Sequence, residues 1–176
     1  MREILNVRES FASDLSQIAD LYRRAFAGQD LGPLLADLLA ERNDVRSLVF
    51  DDDGTIAGHV AFSLCSIDEK AHQSAALLGP LAVLPERQRQ GIGAALVREG
   101  LNGLARDGGM RVFVLGDPAY YGRLSFTTDH DVSPPYPLPL EWRAAWQALN
   151  LGDRNTRLKG QLVVPEPWRR PELWMP

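Results

Sequence analysis

Arg87-Gln88-Arg89-Gln90-Gly91-Ile92-Gly93-Ala94 brings two arginines and two glycines to the predicted start of a helix. This combination suits an anion. The first N–H groups of a helix have no intrahelical acceptor and lie at the positive end of its dipole. Gly91 and Gly93 let a ligand approach the backbone, and Arg87 and Arg89 add two full charges, which favours a diphosphate over a single carboxylate. The competing reading is that the glycines only allow close strand-to-helix packing and the arginines are solvated. Two nucleotide patterns fail. The dinucleotide fingerprint wants a third glycine where Leu96 stands, and the triphosphate loop wants a lysine that does not follow Gly93.

The flanking elements must place this loop. Ala75 to Val83 is a nearly continuous apolar run, Gly91 to about Arg106 reads as helix, and Met110 to Leu115 is a second apolar run. Together they predict a strand-helix-strand unit with two buried strands. Upstream, Ile4 to Arg8 reads as a strand. Ser13 and Asp14 are capping candidates for a helix carrying Leu15, Ile18, Tyr22 and Phe26 on one face. Pro33 opens a second helix with Leu34, Leu35, Leu38 and Leu39, ending before Asn43-Asp44. Ser47 to Phe50 and Ile56 to Cys65 flank Asp53-Gly54, a hairpin signal, and the aspartate run lacks the later ligands of a calcium loop.

Downstream, Tyr120-Tyr121-Gly122-Arg123 suggests a brief helix. The segment from Ser133 to Pro139 must be extended, because its prolines at 134, 135, 137 and 139 exclude a helix. Glu141 to Leu149 reads as helix, with Trp142 and Trp146 one turn apart, and Leu158 to Val164 as a late strand. The tail carries Trp168 and Trp174 and is expected to pack as an arm.

At 176 residues, with 45% apolar and 24% charged residues, the chain has the composition of a single globular domain with a full core. Its formal charge of −4 argues against nucleic acid or anionic lipid as partners. No apolar run approaches the length of a membrane span. The single cysteine, Cys65, has no internal partner, and a cytoplasmic location is expected.

At Gln88-Arg89-Gln90-Gly91-Ile92-Gly93 the sequence resembles the GNAT superfamily of N-acetyltransferases, whose central motif runs from a strand through Gln/Arg-x-x-Gly-x-Gly/Ala into a helix. The resemblance extends upstream to Leu81-Ala82-Val83-x-Pro85 and downstream to Tyr121-Gly122-Arg123-Leu124-Ser125-Phe126, which is similar to the family's Tyr-x-x-x-Gly-Phe. It covers at least residues 4 to 126. Gly116-Asp117-Pro118, with the proline-rich loop and late strand, resembles one bacterial branch of predicted acetyltransferases. Ser125 stands in place of a glycine, and Asp117 stands near the usual position of a cofactor-touching asparagine.

The resemblance implies an α/β fold, classed by some schemes as α+β: a mixed, mostly antiparallel sheet with a central splayed parallel strand pair and helices on both faces. It implies one domain over residues 1–176, with a cofactor core at about 75–126 and residues 133–176 completing the acceptor side. Acetyl-CoA is the implied co-substrate, with no metal. Its pyrophosphate would lie on the N–H groups of Arg89, Gln90, Gly91, Ile92, Gly93 and Ala94, and its pantetheine along Leu81, Ala82 and Val83. The implied reaction is direct acetyl transfer to a primary amine, with Tyr121 as general acid to the thiolate. Adjacent Tyr120 takes that role if the short helix begins one residue later.

A lysine-like amine is neutral in only about one molecule in 2500 at pH 7, so a base or a proton-conducting water is required. The central strand carries no acid between Ala75 and Val83. The candidates are therefore Asp68, Glu69, His59, His72 and Asp117, each of which also has a structural reading. Cys65 reads as a small buried residue. The first two helices, the hairpin and the segment with Tyr136, Trp142 and Trp146 are expected to form the acceptor pocket. The missing carboxylate leaves a catalytically silent acyl-CoA sensor as the alternative to an enzyme. An unpaired late strand would favour a homodimer.

Overall fold

The apolar pattern of each segment dictates which element it can form and which face it buries. The structure is a computed structural model describing residues 6–41, 43–68, 71–108, 111–152 and 158–175, with side chains of 71–74 outside the description. The chain divides into two compact units, Met1–Phe62 with Gly79–Gly103, and Ser63–Leu78 with Leu104–Pro176.

In the first unit, β1 (Val7–Glu9) pairs antiparallel with β2 (Val45–Asp52), Val7 opposite Phe50 and Glu9 opposite Leu48. β2 turns into β3 (Thr55–Ile67), the neighbouring strand, through Asp53 and Gly54, whose φ values of 50° and 90° are those the predicted hairpin turn demands. The Asp51 carboxylate accepts from the Gly54 N–H at 2.7 Å, so the aspartate run builds a turn. Helix α1 (Leu15–Ala25) buries Ile18, Leu21 and Tyr22, while Leu15 is exposed, a departure from the expected face. Asp14 accepts from Phe11 N and from Arg8, which also reaches Asp51. Helix α2 (Gly32–Ala40) buries Leu34, Leu35 and Leu38. Helix α3 (Ile92–Arg106) begins at the predicted glycines and buries Ile92, Leu96 and Val97.

The second unit contains the parallel pair. The first part of β4 (Ala71–Val83) runs beside β5 (Arg111–Leu115), with Ala75, Ala76 and Leu77 opposite Arg111, Val112 and Phe113. The parallel register ends there, after three residues of a thirteen-residue strand. Short helix α4 (Pro118–Tyr121) follows, then β6 (Thr127–Thr128), β7 (Val132–Ser133), β8 (Trp146–Asn150) and β9 (Gly160–Val163). Pairings are mostly antiparallel. β8 lies between β5 and β6, and β9 pairs antiparallel with the end of β3 and parallel with β7. This mixed sheet is the architecture expected from the resemblance.

Two expectations fail here. Residues 141–149 are not a helix: Leu140–Ala145 is a 3-10 segment and Trp146–Asn150 is strand β8, fully in register with β5 from Leu115↔Trp146 to Arg111↔Asn150. Pairing with an already buried strand outweighs weak helical periodicity. Trp146 is buried and stacks on Phe113 at 5.3 Å, whereas Trp142 is partly exposed. The late strand is also not an unpaired edge, since β3 and β7 occupy its two sides, which removes the argument for a dimer. The tail does pack as an arm: Trp174 is 2% exposed and meets Trp146 and Trp168 edge-on, each at 6.1 Å. No helix among the described residues is long and apolar enough to cross a membrane.

Candidate functional site

The loop from Leu84 to Gly91 and the first turn of α3 belong to the first unit, together with Leu81, Ala82 and Val83. The first α3 bond runs from Ala95 N to Gly91 O at 2.9 Å, so the N–H groups of Ile92, Gly93 and Ala94 precede the helical ladder. Gly91 has φ +85°, a left-handed turn for which glycine is suited. Arg89 also takes a positive φ, 59°, where an ordinary side chain is strained, and this strain sits at the predicted anion loop. Its side chain is exposed and makes no hydrogen bond or ion pair among the described residues.

The other four polar side chains of the loop are engaged. Arg87 donates to Asp52 at the end of β2 (2.5 Å) and to Gln90 Oε1 (3.1 Å), correcting the expectation of two free charges at the helix. Gln90 in turn donates to the Glu86 carbonyl (3.2 Å), and Gln88 to the Val83 carbonyl (3.3 Å). Glu86 pairs with Arg24 of α1 at 2.7 Å. The loop is thus tied down by its own side chains and by the N–H groups of Leu84, Arg87 and Gln88, leaving the N–H groups at the start of α3 and the Arg89 side chain available.

Gly58 on β3 was not singled out from sequence, although an isolated glycine in a strand signals close approach. A Cβ there would lie 2.8 Å from Ile92 Cγ2 and 2.9 Å from Leu96 Cδ1, so this glycine lets the start of α3 settle on the strand. Asp52 was read only as turn; no sequence signal links it to Arg87 across 35 positions.

Tyr121 lies in the second unit. Asp117 caps α4 by accepting from Ala119 N at 2.9 Å, and Tyr121 ends this helix with its ring edge-on to Tyr120 and Phe126, at 5.0 and 5.7 Å. A Cβ at Gly116 would come within 2.4 Å of Tyr121 Cε2, so Gly116 makes room for the ring. Burial pushes the Tyr121 phenol well above the usual tyrosine range, and its hydroxyl has no hydrogen-bond partner among the described residues. Tyr120 instead lies under the Arg123 guanidinium, 5.6 Å from the ring centre. Ser125 has φ 72°, which explains why glycine suits that position in the family pattern.

The candidate bases have other work. His59 is fully buried; its Nδ1 bonds the Tyr22 hydroxyl (2.8 Å) and its Nε2 the Ser47 hydroxyl (2.9 Å), and burial pushes its pKa down to about 3. Asp68 accepts from Gln161 N at 2.9 Å and pins the start of β9. Asp117 is the α4 cap. Glu69 and the side chain of His72 lie outside the described residues. Cys65 is buried, its thiol pushed up to about 12 by desolvation, so it is no nucleophile at neutral pH. No cluster of metal-ligating side chains occurs among the described residues.

Known proteins share sequence and fold with this chain. The chain is 34% identical over 161 residues to the uncharacterized N-acetyltransferase YjhQ of Escherichia coli K12, covering 88% of this chain and 89% of that protein. A crystal structure of the GNAT family N-acetyltransferase YhbS from Escherichia coli in complex with CoA matches at TM-score 0.80 and 31% identity, over 93% of this chain and 91% of that one. A GNAT family acetyltransferase from Brucella melitensis in complex with acetyl-CoA matches at TM-score 0.75 and 30% identity, over 92% and 96% of the two chains. The acetyltransferase (GNAT) family model matches residues 15–126, across the anion loop and through Tyr121 to Phe126, and the chain belongs to that family.

Proposed function

We propose that the protein transfers an acetyl group from acetyl-CoA to a primary amine of a small molecule or a protein. The observation that carries this reading is the first turn of α3, where the N–H groups of Ile92, Gly93 and Ala94 precede the helical ladder beside an unengaged Arg89. A pyrophosphate satisfies both features. In this reading the N–H groups of residues 89–94 hold the pyrophosphate, and the main chain of Leu81, Ala82 and Val83 bonds the pantetheine amides as a neighbouring strand would. The CoA and acetyl-CoA complexes of the two similar structures support the same co-substrate.

The neutral amine nitrogen attacks the thioester carbonyl carbon. A C–N bond forms, and the tetrahedral intermediate collapses with cleavage of the C–S bond. Tyr121 gives its phenolic proton to the departing sulfur, and the proton lost by the amine restores the phenol through solvent. Support for Tyr121 over Tyr120 comes from its unpartnered hydroxyl, and burial holds its phenol above the usual tyrosine range. The same burial widens the gap to a reference thiol near 8.5, so the thiolate must itself be desolvated for the transfer to run.

Thermal unfolding with acetyl-CoA, CoA, NAD and ATP tests the reading. At about 100 times its dissociation constant a true ligand adds roughly 2.7 kcal/mol, or about 5 to 10 °C for a chain of this size. The expected result is a shift with the two CoA species alone, followed by CoA thiol release with at least one amine of a panel. Absence of a shift with either CoA species overturns it.

A further inference from the structure

We infer that the second unit carries a pocket for a small carboxylate with a flat apolar body. The pocket has a volume of about 520 Å³, within the ordinary range for small-molecule sites. Trp146 and Tyr136 provide aromatic surface, and Pro137 and Leu138 an aliphatic wall. The proline-rich segment, expected from sequence to be extended, and the 3-10 turn before β8 place these side chains and shape a concavity. The Trp146 ring is held rigidly: it stacks on Phe113, and its indole N–H is already spent on the Val132 carbonyl at 2.8 Å. It therefore offers a ligand only its apolar surface.

Charge selects the sign of the occupant. Asp129 lines the pocket, but its carboxylate is saturated by Arg111 and by the N–H groups of Asp131 and Val132, at 2.9 and 2.8 Å. Gln161 is likewise engaged, donating to the carbonyls of Pro134 and Pro135. Arg143 is different: it lines the pocket and has no hydrogen-bond or ion-pair partner among the described residues. Its planar guanidinium fork matches a carboxylate. His130, exposed in the same lining, adds a ring N–H as a second donor. A saturated acid, a free guanidinium and a rigid aromatic surface together favour a planar organic anion over an amine or a neutral sugar.

Calorimetric titration of the full chain with benzoate, and with uncharged benzamide, tests this. Benzoate is expected to bind with millimolar or better affinity, benzamide at least about tenfold more weakly, and Arg143→Gln to lose about tenfold for benzoate only. Tyr136→Ala should weaken both probes. Acetyl-CoA binding measured on each variant reports whether the chain is folded, and it also separates the two readings: benzoate binding without any CoA binding leaves the pocket standing and removes the proposed co-substrate. Equal affinity for the two probes, or no benzoate binding at 10 mM (about ten times the expected dissociation constant) by wild-type protein, overturns the inference.

Discussion

Arg87 Nη1 lies 2.5 Å from Asp52 Oδ2, so the arginine that sequence places beside the helix start is committed to β2 and not to a ligand. Arg89, two residues on, is the cation left over. The pair therefore divides the work of the two arginines, one shaping the loop and the other available for charge.

The two arginines should separate in kinetics. Arg89→Ala is expected to raise the KM for acetyl-CoA about tenfold, as loss of one charge-assisted contact does, with little change in Tm. Arg87→Ala should lower Tm as well, because Asp52 and Gln90 lose their partner. Steady-state kinetics with parallel melting curves checks both.

Gly91→Val should abolish CoA binding while leaving the cores of both units formed. Its φ of +85° strains any β-branched residue by about 1–3 kcal/mol, and the side chain obstructs the backbone approach. Binding measured by titration calorimetry, with circular dichroism as the folding control, gives the answer.

Tyr121→Phe should lower kcat about 100-fold with KM for acetyl-CoA nearly unchanged, since only the proton donor is removed. Tyr120→Phe should stay within about threefold of wild type. The pH profile of wild type should show no falling limb from the phenol below pH 10, because burial holds its pKa above the usual tyrosine range. A wild-type kcat in Tyr121→Phe would return the acid role to Tyr120 or to solvent.

His59 makes stability depend on pH. Its folded pKa of about 3 lies below the unfolded value near 6.5, so the unfolded chain binds the proton first. The stability is fully present above about pH 6.5 and is lost as pH falls from there toward 3. Between pH 7 and 5 the loss should be about 2 kcal/mol in urea unfolding. His59→Gln should flatten that slope.

Gly100→Ala should destabilise by about 1–3 kcal/mol, because its Cβ would stand 2.1 Å from Phe62 Cε2. Denaturant midpoints would show it. Phe62→Leu combined with Gly100→Ala should recover part of the loss, since the flat ring edge is the obstacle.

The sequence by itself determined the glycine turn that opens α3, both N-terminal helices, the Asp53-Gly54 hairpin and the two apolar strands around α3, because each rests on signals within a few residues of one another. Glycine at a left-handed turn, proline at a helix start and a continuous apolar run act locally, and their physics does not wait for the rest of the chain. Cys65 as a buried residue was legible for the same reason. Tertiary structure decided the rest. Trp146–Asn150 became a strand because β5 offered it a ladder some 30 residues away, and backbone pairing with a buried neighbour overrides helical spacing. The assignment of Arg87 to Asp52, the engagement of His59 by Tyr22 and Ser47, and the free guanidinium of Arg143 all depend on which distant side chains arrive at hydrogen-bond distance. Local propensity does not encode that distance, and it sets which charges remain available for chemistry.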